Sequence, residues 1–397
     1  MFRLFFLLAS LAALSGCAPL PPVPTAPPPA CAPCAACPAC PGVEPAKPAE
    51  KPLQAAAWSD LPGWSEDELQ PAFDAFKAAC AVLERRPLWR TPCVEARRAA
   101  ASDGAGLRAW FEAHFKPWQL VNPDGNREGL ITGYYEPLLK GSRTRGAPYL
   151  YPAFAPPDDL IDVELGKLYP ELKHMRLRGR IEGRKLVPYW SRADWTQQEA
   201  ARSPAALLWL DDPLDFFFMQ IQGSGQVLLD DGTRVRLGYA DQNGHPYRSI
   251  GRWLIDQGEI TADQASMQGI KAWAKAHPER AQELMNANPS LVFFRELAAE
   301  GAGPPGALGV ALTPGRSIAI DPRQVTLGAP VWLSTTWPNE ARPLQRLMLA
   351  QDTGGAIRGA VRADFFWGSG FDAGALAGRM RQKGSMWVLM PQDYAPK

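Results

Sequence analysis

Apolar residues at helical spacing mark the start of the folded region. A capping box at 65–68 is followed by apolar residues three or four positions apart, at Leu69, Phe73, Phe76, Cys80 and Leu83. This spacing predicts an amphipathic helix that packs on a core. The same pattern predicts further helices at 107–115, 261–276 and 279–286.

Short apolar runs bounded by turn residues predict the strands. A buried strand is expected at 130–135, and a hairpin is expected around the Asp231-Gly232 turn. Further strands are expected at 318–320, 331–333, 347–350 and 387–389. Between about 138 and 254, strand-like runs alternate with turns. Helices and strands thus flank a β-rich middle, which suits one domain inserted into another.

Length and charge narrow the class of protein. The chain has 397 residues, which favours two globular units with accessory segments. Lysine and arginine total 42 against 41 acidic residues, so the formal net charge is +1. Nucleic acid is therefore not expected as the main partner, because neutralising phosphates needs a basic excess or a basic patch.

The first 17 residues indicate export and lipidation. Arg3 precedes an apolar stretch at 4–14, too short to span a bilayer, and Leu14-Ser15-Gly16-Cys17 then fits a bacterial lipobox. Cys17 is the expected lipidation site; the alternative is an ordinary signal peptide in which the cysteine has no role. Because residue 18 is alanine and not aspartate, resemblance to lipoprotein sorting signals implies the outer membrane, with the protein facing the periplasm.

A linker rich in proline and alanine follows at 18–57 and should be a semi-extended tether. It contains four cysteines in C-x-x-C spacing, at Cys31, Cys34, Cys37 and Cys40. This spacing also occurs in iron–sulfur and zinc sites, but the sequence around it and an oxidising compartment favour disordered or disulfide-bonded cysteines. Cys80 and Cys93 fall in the folded region, where a structural disulfide between the first two helices is expected.

Three aspartates are candidates for acid–base chemistry. Asp364 stands beside three aromatic residues, and a carboxylic acid in a partly apolar setting has the raised pKa that proton donation to a glycosidic oxygen requires. Asp352 lies in a glycine-rich segment, and Asp321 lies at a strand end. The alternative for all three is a turn-forming role, since aspartate commonly occupies turns.

These aspartates belong to a longer series of motifs. The series comprises Thr132-Gly-Tyr-Tyr-Glu-Pro137, Gln220-Ile-Gln-Gly-Ser-Gly225, Gly238-Tyr239-Ala240, Asn243-Gly244, Tyr247, Ser249-Ile250-Gly251, Asn286, Asn288-Pro289-Ser290, Phe293-Phe294, Asp321, Asp352-Thr-Gly-Gly-Ala-Ile-Arg-Gly359 and Arg362-Ala363-Asp364. In this order they resemble the membrane-bound lytic murein transglycosylase A family with its C-terminal three-aspartate domain. The resemblance covers roughly residues 60–390, while the cysteine-bearing linker is not part of it.

The resemblance implies a mainly β fold with flanking helices. A double-psi β-barrel domain is expected from residues 58–137 and 255–393, with the three-aspartate motif at 316–390. A second, β-barrel-like domain is expected to be inserted at 138–254. The groove between the two domains is expected to hold a peptidoglycan glycan strand.

The resemblance also implies an activity centred on Asp364. This residue is expected to protonate the oxygen that links N-acetylmuramic acid to N-acetylglucosamine. It then acts as a base on the C6 hydroxyl of the muramic acid, which closes a 1,6-anhydro ring without water. The enzyme is thus expected to be a peptidoglycan lytic exotransglycosylase, an exception to the paired-carboxylate arrangement of most glycosidases.

The remaining motif residues are expected to bind the substrate. They are Thr132, Tyr134, Tyr135, Glu136, Gln220, Gln222, Ser224, Gly225 and Asp352. One of the two tyrosines should be core, because adjacent strand residues face opposite ways. Glu136 is either a second acid or a hydrogen-bonding group at the groove wall, and the latter is favoured. The alternative for the Gln220–Gly225 motif is a glycine-containing turn with exposed polar residues.

No cofactor is expected, and two rival functions are open. The four histidines have no ligand spacing, so neither a metal nor another cofactor is expected. Other cell-wall enzymes are candidate partners. One rival function is a hydrolytic glycosidase on the same fold, with Glu136 or Asp352 as the base; its products would have free reducing ends. The other rival is a non-catalytic peptidoglycan-binding lipoprotein.

Overall fold

Three β-sheets and the helices that pack on them make up the described part of the chain. A computed structural model describes residues 52–99, 104–173, 175–202, 204–297 and 303–395. Cys17, nearly all of the predicted linker and its four cysteines lie outside these residues. No helix within them is long and apolar enough to cross a membrane.

Strands predominate in the described residues. They are β1 (Leu53–Ala55), β2 (Phe115–Leu120), β3 (Gly129–Glu136), β4 (Leu138–Ser142), β5 (Tyr151–Phe154), β6 (Ile161–Asp162), β7 (Arg178–Glu182), β8 (Lys185–Pro188), β9 (Ala206–Leu210), β10 (Ser224–Leu229), β11 (Arg234–Gln242), β12 (Val292–Leu297), β13 (Ser317–Ile320), β14 (Pro330–Thr336), β15 (Pro343–Thr353), β16 (Arg362–Ser369) and β17 (Arg381–Pro391).

Helices lie before, within and after the middle of the chain. They are α1 (Gln70–Leu83), α2 (Pro87–Arg98), α3 (Gly104–His114), α4 (Arg192–Arg202), α5 (Pro213–Gln222), α6 (Ile250–Asp256), α7 (Met267–Ala276), α8 (Ala281–Asn286) and α9 (Phe371–Ala377). Short 3₁₀ turns occupy Trp58–Asp60, Pro170–Leu172 and Pro278–Arg280. Of the predicted helices, the one expected at 261–276 begins only at residue 267, where Ser266 caps it by accepting a hydrogen bond from Gly269 N.

Six strands close into a barrel. They follow one another in the order β3, β16, β13, β15, β14 and β17, and β17 pairs back with β3. β2 and then β1 extend the sheet from β17. The main core contains fully buried side chains of these strands, such as Ile131, Ile318 and Phe365, together with those of α1, α2 and α3. The expectation of a mainly β fold with a closed barrel is confirmed.

A disulfide joins the first two helices to each other. It links Cys80 on α1 to Cys93 on α2, and both cysteines are buried. Phe73, Phe76 and Trp89 on these helices are almost completely buried in the main core. These helices therefore cover one side of the barrel, and the disulfide links α1 covalently to α2.

The second sheet has six strands in the order β12, β11, β10, β4, β9 and β5. β12 pairs with β11 although it begins at Val292, well beyond residue 254, where the inserted domain was predicted to end. That boundary is too early for this sheet, because its last strand follows three helices along the chain and no local pattern shows where such a strand pairs. β6, β7 and β8 form a separate three-stranded sheet.

Candidate active site

One face of the barrel carries a row of five residues on five adjacent strands. Asp352 and Asp364 both pair with Ala319, Asp364 also pairs with Thr132, and Thr132 pairs with Arg381. Directly paired residues project to the same side of a sheet, and neighbouring strands lie about 4.8 Å apart. The two aspartates therefore stand about 10 Å apart at their Cα atoms, with a small alanine between them. We call these five residues the cross-strand row.

A β-bulge brings Asp352 into this row. Ile318 pairs with Ala350 but Ala319 pairs with Asp352, so Gln351 is the extra residue. Without it, Asp352 would be shifted by one position and its side chain would face the other side. Gln351 is fully buried; it accepts a 2.5 Å hydrogen bond from Ser317 Oγ and donates one of 3.1 Å to the carbonyl of Ala75.

The Asp364 carboxyl group has a short chain of polar partners. Thr132 Oγ1 donates a 2.5 Å hydrogen bond to Asp364 Oδ1, and Arg362 Nη2 donates one of 2.9 Å to the same threonine hydroxyl. Burial raises the pKa of Asp364 to about 6, because the hydrogen bond from Thr132 and the charge of Arg362 offset it only partly and Asp352 adds to it. Near neutral pH this carboxyl can therefore both give and take a proton.

Asp352 is held more firmly than Asp364. Its Oδ1 accepts 2.9 Å hydrogen bonds from the backbone N–H groups of Ala307 and Thr353, and its Oδ2 accepts one of 2.9 Å from Tyr134 Oη. Burial raises the pKa of Asp352 despite these donors. Burial is the larger cause of the raised pKa of Tyr134, and the charge of Asp352 is the second. The phenol therefore stays protonated and donates its hydrogen bond to Asp352.

Asp321 differs from the other two aspartates. It is fully buried, and burial alone would raise its pKa. Hydrogen bonds from the Arg323 side chain, at 2.6 and 2.9 Å, and from Gly359 N, at 3.0 Å, instead lower that pKa to about 2. Gly359 lies in the segment between Asp352 and Asp364, so the ionised Asp321 anchors this segment and is not a proton donor.

Glu136 and Gln220, which were expected to bind the substrate, are buried and have polar partners inside the protein. Glu136 is fully buried and forms a 2.8 Å ion pair with Arg236, while Gln226 and Ser369 donate hydrogen bonds to it. Gln220 is 5% exposed, and its Oε1 accepts a 2.6 Å hydrogen bond from buried Arg192. The charges of Glu136 and Arg192 thus have the partners that buried charges need.

Gln222 is the last residue of α5, and Ser224 and Gly225 begin β10. Gly223 ends the helix at φ 82°, in the left-handed region, and Ser224 then begins β10. Gln222 Oε1 accepts a 3.2 Å hydrogen bond from Tyr135 N, which lies at the edge of β3. Gln222 and Ser224 are partly exposed, whereas Gly225 is buried against Met219, where a Cβ atom would come within 2.4 Å of the sulfur.

Both tyrosines of the motif are largely buried, on opposite faces of β3. Tyr134 packs on Phe366 beside Asp352, and Tyr135 packs on α9 and contacts Met267. Only one of them had been expected in the core. The Trp367 indole packs on Phe365 and donates a hydrogen bond to Met380 Sδ.

Sequence reasoning gave no role to Arg362 or Arg381. Arg362 could have been found, because in a strand a residue two positions before Asp364 faces the same side. Arg381 could not, since its place beside Thr132 depends on the pairing of β17 with β3. Among the described residues, no group of three or more His, Cys, Asp or Glu side chains could hold a metal ion.

Comparison with known proteins identifies the family. Residues 130–295 match the MltA specific insert domain and residues 316–390 match the 3D domain. Membrane-bound lytic murein transglycosylase A of Escherichia coli K12 is 33% identical over 293 residues, 72% of each chain. This chain belongs to the membrane-bound lytic murein transglycosylase A family. The family resemblance inferred from the motifs is confirmed.

Solved structures support the same assignment for this transglycosylase. MltA from Neisseria gonorrhoeae is 37% identical with a TM-score of 0.76, covering 87% of this chain and 94% of its own. E. coli MltA with bound chitohexaose is 26% identical with a TM-score of 0.66, covering 88% and 96%. The protein is therefore a peptidoglycan-degrading lyase and, like its relatives, a membrane-associated protein of the cell envelope.

Proposed function

We propose that Asp364 is the single acid and base of this transglycosylase. The observation that carries the proposal is the position of this carboxyl, partly buried in the cross-strand row with one oxygen held by Thr132 and the other free within the described residues. Burial in this position raises its pKa to about 6, which suits a group that is protonated before the reaction and ionised during it. Thr132 occupies Oδ1, so Oδ2 is the oxygen that meets the substrate. The partly buried setting keeps the proton on the acid until a glycosidic oxygen is present.

The proposed reaction has two proton transfers. In the first, Asp364 gives its proton to the oxygen between N-acetylmuramic acid and N-acetylglucosamine, and the bond from this oxygen to C1 of the muramic acid breaks. In the second, the ionised Asp364 removes the proton of the C6 hydroxyl of the same sugar, and O6 bonds to C1. The products are a free N-acetylglucosamine end and a 1,6-anhydromuramoyl end, and no water is consumed.

The surroundings of Asp352 support this reaction over hydrolysis. A hydrolase needs a second carboxylate that is free to hold and deprotonate water. Asp352 has three hydrogen-bond donors on its two oxygens, and Glu136 is fully buried in an ion pair. We assign Asp352 a supporting role, in which its negative charge raises the pKa of Asp364 and stabilises positive charge on the sugar.

The glycan strand is proposed to cross the face that carries the cross-strand row. The partly exposed Gln222 and Ser224 offer amide and hydroxyl groups for its acetamido and hydroxyl substituents. The E. coli relative with bound chitohexaose supports the binding of an oligosaccharide of this type. This region is supported by the buried side chains of Gln220, Glu136 and Tyr135.

We also propose that the enzyme is anchored to the outer membrane by lipid on Cys17 and acts from there in the periplasm. The lipobox and residue 18 support this proposal, and the relatives are described as membrane-bound. Several acyl chains hold a protein at a membrane far more firmly than one.

Asp364→Asn tests the catalytic proposal. Purified wild type and variant are incubated with sacculi, and the released muropeptides are identified by mass spectrometry. We expect a loss of anhydro-muropeptide release on the order of 10²–10⁴-fold or more, because both proton transfers depend on this group. Asp352→Asn should lose less. Near-normal release by Asp364→Asn, or products with free reducing ends from the wild type, would contradict the proposal.

A further inference from the structure

Exposed apolar side chains are concentrated in the segment 161–188, which contains the three-stranded sheet of β6, β7 and β8. Of the twelve large apolar side chains that are exposed in the described residues, six lie in this segment: Leu165, Leu168, Tyr169, Met175, Ile181 and Leu186. Contact of apolar surface with water is unfavourable, so such a concentration indicates a surface that binds a partner.

One face of this small sheet is entirely apolar. The strand register and the 3.1 Å hydrogen bond from Val163 N to Leu177 O place seven residues on it: Ile161, Val163, Leu177, Gly179, Ile181, Leu186 and Pro188. Ile181 and Leu186 pair directly with each other and are 58% and 48% exposed. We call these seven residues the apolar face.

The opposite face of the sheet carries charges and is turned toward the rest of the protein. Arg178 Nε donates 3.0 Å hydrogen bonds to the carboxylate of Asp241 on β11, and the Arg180 guanidinium lies 3.5 Å from the centre of the Trp190 ring. Both arginine side chains are largely buried. Because side chains alternate along a strand, the apolar face points away from β11.

Basic residues lie at both ends of this sheet. Residues 161–188 contain seven lysine and arginine residues and four acidic ones, whereas the whole chain has an excess of only one positive charge. The exposed Lys167 and Lys173 lie in the connection from β6 to β7, and the exposed Arg184 lies in the turn from β7 to β8. Apolar side chains beside exposed cations are the combination that binds an anionic lipid surface.

We propose that the apolar face is a second contact of this enzyme with the lipid surface that holds its N-terminus. Ile181 and Leu186 enter the boundary between headgroups and acyl chains, while the basic residues at the ends of the sheet meet lipid phosphates. The inference rests on the proposed anchoring at Cys17. It is supported by the charge of the segment and by the relatives, which are described as membrane-bound.

The anchor allows such a contact to form even though the face is small. Residues 18–51 separate Cys17 from the described part of the chain and can span at most about 120 Å, so the sheet can reach the bilayer. Attachment at one point raises the effective concentration of lipid at the face. A contact too weak to hold the protein by itself can therefore still orient the anchored enzyme.

Labelling from within the bilayer tests this contact. The acylated full-length chain is reconstituted in vesicles of phosphatidylethanolamine and phosphatidylglycerol that contain a phospholipid with a diazirine in its acyl chain. Labelled peptides are identified by mass spectrometry after illumination, with the N-terminal peptide as internal reference. We expect label in 161–188, and less of it when phosphatidylcholine replaces the anionic lipid.

The double variant Ile181→Ser, Leu186→Ser should reduce this label about tenfold relative to the N-terminal peptide, because two apolar side chains no longer favour the bilayer. Leu150→Ser is the matched control, since Leu150 is 43% exposed and lies outside the segment, just before β5. It should leave the label unchanged.

Two further measurements keep this test separate from the proposed function. The intact mass of the chain reports acylation, and release of anhydro-muropeptides from soluble glycan strands reports catalysis and folding; the variants should match the wild type in both. Label confined to the N-terminal peptide, or equal label in the double variant, would overturn the proposal. Shielding of 161–188 that grows with protein density would also overturn it, because it would assign the apolar face to a second copy of this chain.

Discussion

At the scale of single residues, the environment of each aspartate sets its chemistry. Asp364 and Asp352 have raised pKa values because burial outweighs their hydrogen bonds, whereas the arginine fork and backbone donors around Asp321 outweigh its burial. The three carboxyl groups therefore differ in the ease with which they take up a proton. We assign proton transfer to Asp364, support to Asp352 and anchoring of the connecting segment to Asp321.

The pH dependence should respond to Thr132. Its hydrogen bond lowers the pKa of Asp364, so Thr132→Val should raise that pKa above about 6. The protonated acid then persists to higher pH, and the alkaline limb of the kcat/KM profile should move upward while maximal activity falls. Thr132→Ser keeps the hydroxyl and is the control, with an unchanged limb. A limb that stays in place or moves to lower pH in Thr132→Val would contradict this role.

The raised pKa of Asp364 also predicts a stability cost. A carboxyl whose pKa rises from 3.8 to about 6 on folding destabilises the fold wherever it is ionised. The cost is absent below about pH 4, grows between pH 4 and 6 and is constant above that. Asp364→Asn should therefore raise the free energy of unfolding at pH 7 by about 1 to 3 kcal/mol, and leave it unchanged at pH 4.

Denaturant unfolding at the two pH values checks this prediction. Asp321→Asn provides a control of opposite sign, because the pKa of Asp321 is lowered to about 2. The stabilisation that the ionised Asp321 provides is present above the pKa of the unfolded state and is lost as the pH falls through about 2. Asp321→Asn should therefore be less stable than the wild type at pH 7. Equal changes in the free energy of unfolding for the two variants would mean that packing, and not charge, determines the stability of both.

At the scale of elements, two local irregularities position the candidate site. The bulge at Gln351 puts Asp352 in the cross-strand row, and the left-handed Gly223 turns the chain from α5 into β10, between the proposed substrate-binding residues Gln222 and Ser224. Buried hydrogen bonds hold the bulge, and a glycine is needed at the turn because other residues rarely adopt its positive φ. Both features cost some stability, and both lie where polar groups of the candidate site come together.

Gly223→Ala should affect both stability and substrate binding. A Cβ atom at φ 82° costs about 1–2 kcal/mol in unfolding free energy, and the resulting shift of Gln222 and Ser224 should raise KM. Gly232→Ala is the matched control: Gly232 has φ 84° in the hairpin turn, with no atom within 4 Å of the added Cβ. It should lose similar stability with KM unchanged. A rise of KM in both variants would show that instability alone causes it.

At the scale of the whole molecule, the barrel and the second sheet are joined by buried polar groups. Glu136 on β3 and Ser369 on β16 meet Arg236 on β11 and Gln226 on β10, and the Glu136–Arg236 pair is 4% exposed or less. Replacing only one partner of such a pair leaves a buried charge unpaired, which is strongly destabilising. The pair therefore holds the two sheets in one arrangement. The described residues, from 52 onward, belong to one compact unit.

Anchoring and catalysis should therefore be separable. Changing Cys17 to Ser should abolish acylation, seen as a lower mass, and move the protein out of the membrane fraction. A protein that begins at residue 52 should remain soluble and release anhydro-muropeptides at a near-normal rate, because every residue of the candidate site lies after it. Unchanged fractionation of Cys17→Ser, or loss of cleavage on truncation, would contradict this division.

The sequence by itself determined the local features and the family. Helical spacing predicts α1, a short apolar run predicts β3, and the aromatic residues beside Asp364 indicate a carboxyl with a raised pKa. These features depend on neighbours along the chain, which the sequence contains. The ordered motifs were specific enough to identify the family, because many short patterns had to occur in one order.

Only the tertiary structure decided which residues share a face and which are buried. The cross-strand row joins residues from 132 to 381 through pairings between distant strands, and a single bulge selects the face of Asp352. Glu136 and Gln220 resemble surface groups in sequence, but their arginine partners at 236 and 192 take them into the interior. Burial and register depend on contacts across the fold, and such contacts leave no local pattern in the chain.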